Sequence, residues 1–392
     1  MRILVVGGMY PPMRTGTAFY TQNLAAELQR QGHAVEVVTL GATLSHAVED
    51  GLSVHRLPAW RLPLAGFFKH YQLCAPNPLN WWRLARIARR FQADAVLLVN
   101  HYLDIAFPAV FAAWRVRAPL VCSVGTQLQS LNPRRDRLLN RLDRLICGWG
   151  VFPFCDAVVA WDTQIRQYLS DVQGERVLRK THIVNYGVAG DSAALAQHFN
   201  DHAYRGLILG VGAVSEQRSF VPLVKAFAEL APEFPTLKLR IVGHVYYDEA
   251  PRLAASLGLG ERVEFLGERP HDEVLTHMQA ADLLFSSLTG RYVGMGTATI
   301  EAMLLAVPTV VNTPLDLLGS ATLVDGEHLV QCTDPAPPAI AQRLRALLGD
   351  ESLRRRVGTG GRRFVQEQMN WPKVARDMAS LLKEMVQRQG RS

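Results

Sequence analysis

The sequence predicts an α/β protein built as two doubly wound parallel-sheet domains that face a central cleft. Three observations lead there. At 392 residues the chain exceeds the usual size of one hydrophobic core. Short apolar runs of the kind buried on both faces recur through both halves, each separated from the next by a helix-length segment. A glycine-bearing turn follows the first such run of each half, "RILVVGG" and "LILGVG". With 48% hydrophobic and 20% charged residues the composition is that of an ordinary globular chain, which excludes disordered and fibrous classes.

In the first half, "RILVV" stops at Gly7 and Gly8, and "AVEVVTL" is the next strand. Between them "TAFYTQNLAAELQRQGH" places Phe19, Leu24 and Leu28 at helical spacing and ends at Gly32. "DAVLLV", "PLVCSV" and "DAVVAW" continue the strand pattern, which pauses at "YGVAGDSAALAQHFNDHAYRG", read as a linker. It resumes with "LILGVG", "LKLRIVG", "RVEFLG", "DLLFSS" and "PTVVN". The expected domains are 1–195, 196–372 and a C-terminal helix, 373–392, that crosses back to the first. In sheets of this kind ligands bind at the carboxyl ends of the strands, so the shared cleft is the expected site.

No segment approaches the roughly 18 apolar residues that span a bilayer, and the apolar run at the start is too short for a signal peptide. Five scattered cysteines without metal-ligand spacing fit reduced thiols in a cytoplasm. The net charge of +7 is uneven. Through residue 198 there are 21 Lys and Arg against 13 Asp and Glu, and beyond it 21 against 22. The first half is therefore expected to meet something anionic.

Three loops could carry chemistry. "GGMYPPMRTGTAFYTQNLA" follows the first strand, with Thr17 a candidate helix cap and amides that would suit a phosphate. It fits neither a dinucleotide fingerprint nor a Walker loop. "LILGVGAVSEQRSFVPL" sets Arg218 just past a strand and turn. "GRYVGMGTATIEAM" runs through Gly294, Met295, Gly296 and Thr297 into a helix carrying Glu301. Each has a plainer reading as a turn, a surface arginine or a helix acid.

Taken in order, these stretches with "QGHAVEVVT", "LGERPHDEVLTHMQAAD" and "GMGTATIEAMLLAVPTVV" resemble the retaining glycosyltransferases of family 4, group 1, which have the GT-B fold. The resemblance covers nearly the whole chain and reaches Trp371, where the family's last helices open. It implies transfer of a sugar from a nucleotide-diphosphate donor to a glycan or lipid-linked acceptor, without cofactor or metal. The absence of an Asp-x-Asp pair agrees with that. By resemblance Glu301 holds the donor ribose, Gly294 to Thr297 lie against diphosphate and sugar, Arg218 matches a phosphate-binding lysine, and Gly16 with Thr17 matches a double-glycine loop. Three polar positions of the family fall on Val293, Ala213 and Gly125. Arg14, His101, Thr126, Arg291 and Tyr292 are nearby groups that could substitute. These departures keep one alternative in view, a weakened GT-B protein that binds nucleotide, glycan or a protein partner without efficient turnover. A third possibility is a sugar-nucleotide epimerase on the same fold, but "TATIEAM" resembles the transferases better.

Two arginine-rich segments remain. "NWWRLARIARRF" aligns Leu84, Ile87, Ala88 and Phe91, and "NPRRDRLLNRLDRLICGWG" aligns Leu138, Leu142, Leu145 and Trp149. The plain expectation is that each stripe packs on the sheet with its arginines in water. The sharper one is that arginines and Trp81 or Trp82 meet an anionic membrane, placing the protein in the cytoplasm, peripheral at the inner face. No nucleic-acid module is present.

Overall fold

A computed structural model describes residues 1–13, 15–61, 74–75, 77–101, 103–188 and 204–390. It divides into two compact units, Met1–Gly187 with Trp371–Ser392, and Val188–Asn370. The boundary expected at 195 lies outside the described residues.

The first unit runs β1 (Arg2–Gly7), α1 (Gly16–Arg30), β2 (Ala34–Gly41), β3 (Ser45–Glu49), β4 (Leu52–Pro58), β5 (Trp60–Arg61), β6 (Cys74–Ala75), α2 (Pro78–Phe91), β7 (Ala95–Val99), α3 (Leu103–Val116), β8 (Leu120–Val124), α4 (Pro133–Gly150), β9 (Ala157–Ala160), α5 (Thr163–Gln173), α6 (Glu175–Leu178) and β10 (Thr181–Ile183). Its main sheet has the order β10-β9-β8-β7-β1-β2-β4-β3. All pairings are parallel except β3 with β4, an antiparallel edge that the parallel expectation did not include. β1, β7, β8 and β9 are buried along almost their whole length, which is why they read as unbroken apolar runs. From β4 through β7 and β8 to β9 the chain steps one way across the sheet. Right-handed crossovers therefore lay α2, α3 and α4 over one face and α1 over the other.

The second unit runs β11 (Leu207–Val211), α7 (Val221–Leu230), β12 (Lys238–Val242), α8 (Glu249–Ser256), β13 (Val263–Gly267), α9 (His271–Ala280), β14 (Leu283–Ser286), α10 (Thr297–Leu304), β15 (Thr309–Val311), β16 (Val330–Gln331), α11 (Pro337–Gly349) and α12 (Glu351–Gln368). Its sheet is wholly parallel, in the order β13-β12-β11-β14-β15-β16. The last helix, α13 (Trp371–Gln389), returns to the first unit, where Trp371, Val374, Met378 and Leu382 join Tyr20, Leu24 and Leu28 of α1 in one core.

In each sheet the strand order reverses at one place, between β1 and β7 and between β11 and β14. There the loops leaving two adjacent strands diverge and open a crevice at their carboxyl ends. The candidate loops after β1, β11 and β14 are loops of these two crevices.

α2 packs as expected, with Leu84 and Ala88 fully buried. α4 does not. Leu138, Leu142, Leu145 and Trp149 are exposed, Leu145 at 62% and Trp149 at 77%, and Asp143 and Cys147 are the residues turned inward. No described helix is long and apolar enough to cross a membrane.

Candidate functional site

In the second unit, the loop after β14 is fixed before it reaches α10. Asn312 accepts from the Leu288 amide at 3.1 Å and donates to its carbonyl at 2.8 Å, and the Thr289 amide donates to Gln217 O. Thr313 Oγ1 donates to Gly294 O. α10 then begins after Gly296, which has no side chain to cap it, so the first amides of the helix are left for another acceptor.

Arg218 lies against this helix start. Ser215 and Arg218 exchange backbone hydrogen bonds in a tight turn, and the guanidinium reaches between two glycines. A Cβ on Gly212, where φ is +130°, would sit 1.8 Å from Arg218 Nη1, and one on Gly296 would sit 3.3 Å from Nη2. Only glycine admits the arginine at the first position. Burial lowers the Arg218 pKa, no carboxylate among the described residues pairs with it, and its Nε has no hydrogen-bond partner among them. A cation desolvated in this way beside an uncapped helix start has the chemistry to suit an anion.

Glu301 stands one turn further in. It lies past the first turn, so its place owes less to the helix dipole than the sequence suggests. Burial raises its pKa, and the His271 imidazole, whose Nε2 lies 3.6 Å from Glu301 Oε1 at the start of α9, pulls it back. Met295 and Thr297 are partly exposed beside it, Arg291 lies over the ring of buried Tyr292, and Val293 occupies the loop between them.

In the first unit, Thr15 rather than Thr17 caps α1, accepting from the Ala18 amide. Gly16 faces open space, and buried Thr17 Oγ1 accepts from Asn100 Nδ2 at 3.1 Å. Asn100 Oδ1 accepts in turn from the Gly125 amide, so one side chain ties the first turn of α1 to the ends of β7 and β8. Its φ of +62° makes asparagine a natural choice there. Gly125 has no room for the family's histidine. A Cβ there would meet the Trp161 ring at 2.2 Å. Trp161 stacks on Tyr20 at 4.0 Å and donates from Nε1 to Ser123 Oγ. Thr126 follows, partly exposed, and Arg14 lies outside the described residues.

His101 is a correction. It is fully buried, with Nε2 3.0 Å from Asp143 Oδ1, and offers nothing to a crevice. It belongs to a polar core in which Asp143 Oδ2 accepts from Tyr168 and Gln173, each at 2.7 Å, and Cys147 Sγ donates to His101 O. Asn100, Trp161 and His271 are not legible in the sequence as site neighbours. Only the sharp turn after "VLLVN" hints at Asn100, and nothing local marks the other two.

Comparison with known proteins fits this geometry. Residues 15–187 match the glycosyl transferase 4-like domain and residues 198–364 match the glycosyl transferases group 1 family. The chain is a group 1 glycosyltransferase. It is 27% identical over 368 residues to the D-inositol 3-phosphate glycosyltransferase of Nocardia farcinica, covering 88% of this chain and 79% of that one. It is 20% identical to the alpha-monoglucosyldiacylglycerol synthase of Streptococcus pneumoniae, over 80% and 71% of the two. Among solved structures, the glycosyltransferase resembles sucrose-phosphate synthase of Thermosynechococcus elongatus, with a TM-score of 0.72 at 19% identity over 98% and 99% of the chains. Anabaena HepE in complex with UDP gives 0.71 at 17% identity over 98% and 100%. The fold is GT-B, as the sequence predicts.

Proposed function

We propose that this glycosyltransferase is a retaining enzyme of family 4 that takes a sugar from a nucleotide-diphosphate donor without a metal. The observation that carries this is Arg218, a desolvated guanidinium with no carboxylate partner among the described residues, against Gly296 at the uncapped start of α10. A diphosphate there meets the helix amides and one fixed cation, which stabilise the charge that grows on it as the glycosidic bond breaks. Glu301, a turn away, accepts the ribose hydroxyls, and its carboxylate keeps clear of the phosphates. Anabaena HepE, which shares the fold, is solved with UDP and with UDP-glucose, and supports a uridine donor as the first to try. Gly16 and the amides of α1 are the groups the first unit offers to a polar ligand.

The acceptor we favour is lipid-linked, met at an anionic membrane surface. Exposed Trp82, Trp114, Leu138, Leu142, Leu145 and Trp149 lie on the helices of one face of the first sheet, α2, α3 and α4, together with ten arginines. Apolar side chains ringed by cations suit a bilayer with acidic headgroups. The Streptococcus pneumoniae relative is named for a diacylglycerol product. The weakened-binder alternative draws no support from the relatives, which are named as transferases and a synthase.

Calorimetric titration of UDP into wild type, Glu301→Gln and Glu301→Ala tests the donor assignment. Each lost hydrogen bond to a charged group is worth roughly 1.5–3 kcal/mol, so the alanine variant binds about tenfold to hundredfold more weakly and glutamine falls between. Equal affinity in a folded Glu301→Ala protein overturns it. Release of nucleoside diphosphate from a panel of nucleotide sugars, with NMR of the product's anomeric centre, tests transfer and retention.

A further inference from the structure

We propose that His101, Asp143 and Cys147 form a buried site for a divalent ion of the zinc type, which fastens α4 to the end of β7. One imidazole nitrogen, one carboxylate oxygen and the thiol sulfur all lie within 4.8 Å of one another, and all three residues are buried. Asp143 and Cys147 are four residues apart on α4, one turn along the same face, and His101 comes from a different element just past β7. Two ligands at that helical spacing with a third brought by the fold is a common way to build a metal site.

Three features favour an ion over a hydrogen-bonded core alone. First, the two hydrogen bonds from Tyr168 and Gln173 both go to Asp143 Oδ2. Oδ1 is left facing His101 Nε2 and the cysteine, which is how outer groups orient a ligating carboxylate. Second, the donor set mixes nitrogen, oxygen and sulfur, which suits zinc among the common divalent ions. Third, charge favours it. A buried carboxylate and a buried thiolate would each be costly alone, whereas with a divalent cation they sum to zero. On binding, the thiol proton leaves to solvent and a sulfur–metal bond forms, with no change of oxidation state. The site also explains why α4 packs inside out: a strong bond on its polar face offsets the apolar stripe it leaves in water. The ion is structural and takes no part in the proposed sugar transfer.

The test uses the full chain produced with zinc in the medium. Elemental analysis after dialysis is expected to give about one zinc per chain. X-ray absorption at the zinc edge of the wild type should show a single sulfur near about 2.3 Å, with the remaining ligands nitrogen or oxygen at about 2.0–2.1 Å. Cys147→Ser should lose the sulfur and most of the metal, whereas Cys332→Ser, in the other unit, should lose neither. Tyr168→Phe removes one orienting bond and should weaken zinc by about 10–100-fold in competition with a chelator. Substoichiometric zinc in the wild type, or a shell with no sulfur or more than one, overturns the site and leaves a hydrogen-bonded core. The absorption measurement needs no variant, so it decides the matter even where a Cys147→Ser protein fails to fold.

Discussion

α2 and α4 begin alike and end on opposite terms with the sheet. Each follows an asparagine whose side chain accepts from the first helical amides, each has proline at its first position, and each spreads arginines along its length. Both carry an apolar stripe. In α2 the stripe is inside, with Leu84 and Ala88 fully buried. In α4 it is outside, and Asp143 and Cys147 take the core positions beside His101. Helical periodicity therefore says that a helix forms and which residues share a face. It does not say whether that face meets protein or another medium. With the lipid-linked acceptor proposed above, the contrast would also be functional, because a transferase acting on a lipid needs some apolar surface left for the membrane.

Four measurements put this contrast at risk. The largest effect is expected from Asp143→Ala, which strands His101, Tyr168 and Gln173 inside α4's polar contact; a loss of about 3–5 kcal/mol in denaturant unfolding is the outcome that makes the polar face the anchoring one. Leu84→Ala in α2 should cost about 2–5 kcal/mol through the cavity it leaves. Replacing one arginine of α4, as in Arg141→Gln, should weaken binding to anionic vesicles by about 1 kcal/mol, an effect that raised salt removes and that neutral vesicles do not show. Leu145→Ser is expected to change stability by no more than about 0.5 kcal/mol while still reducing vesicle binding. A large stability loss there would mean that α4 is packed like α2, and equal binding to neutral and anionic vesicles would remove the membrane face.

The candidate site of the second unit is more legible than that of the first, and the reason is local. Gly294, Gly296, Thr297 and Glu301 lie within eight consecutive residues on one loop and helix, so their mutual placement follows from chain geometry. Arg218 reads as a surface arginine in its plain sense and as a phosphate ligand by resemblance. The structure shows it half-buried, reaching Gly212 nearby in the chain and Gly296 far along it. Around Gly125 the sequence shows a missing histidine but not what fills its place, since Trp161 arrives from the next strand, 36 positions on.

Alternation and turn chemistry act within a few residues, and they were enough to specify two sheets built on buried parallel strands, without the antiparallel edge β3, and the glycine loops that follow β1, β11 and β14. Other features waited on the folded chain: Thr15 caps α1, His101 is sealed against Asp143, Trp161 covers Gly125, and α4 turns its leucines outward. Each of these depends on what stands across a contact from the residue, and burial is a property of the pair rather than of either segment alone.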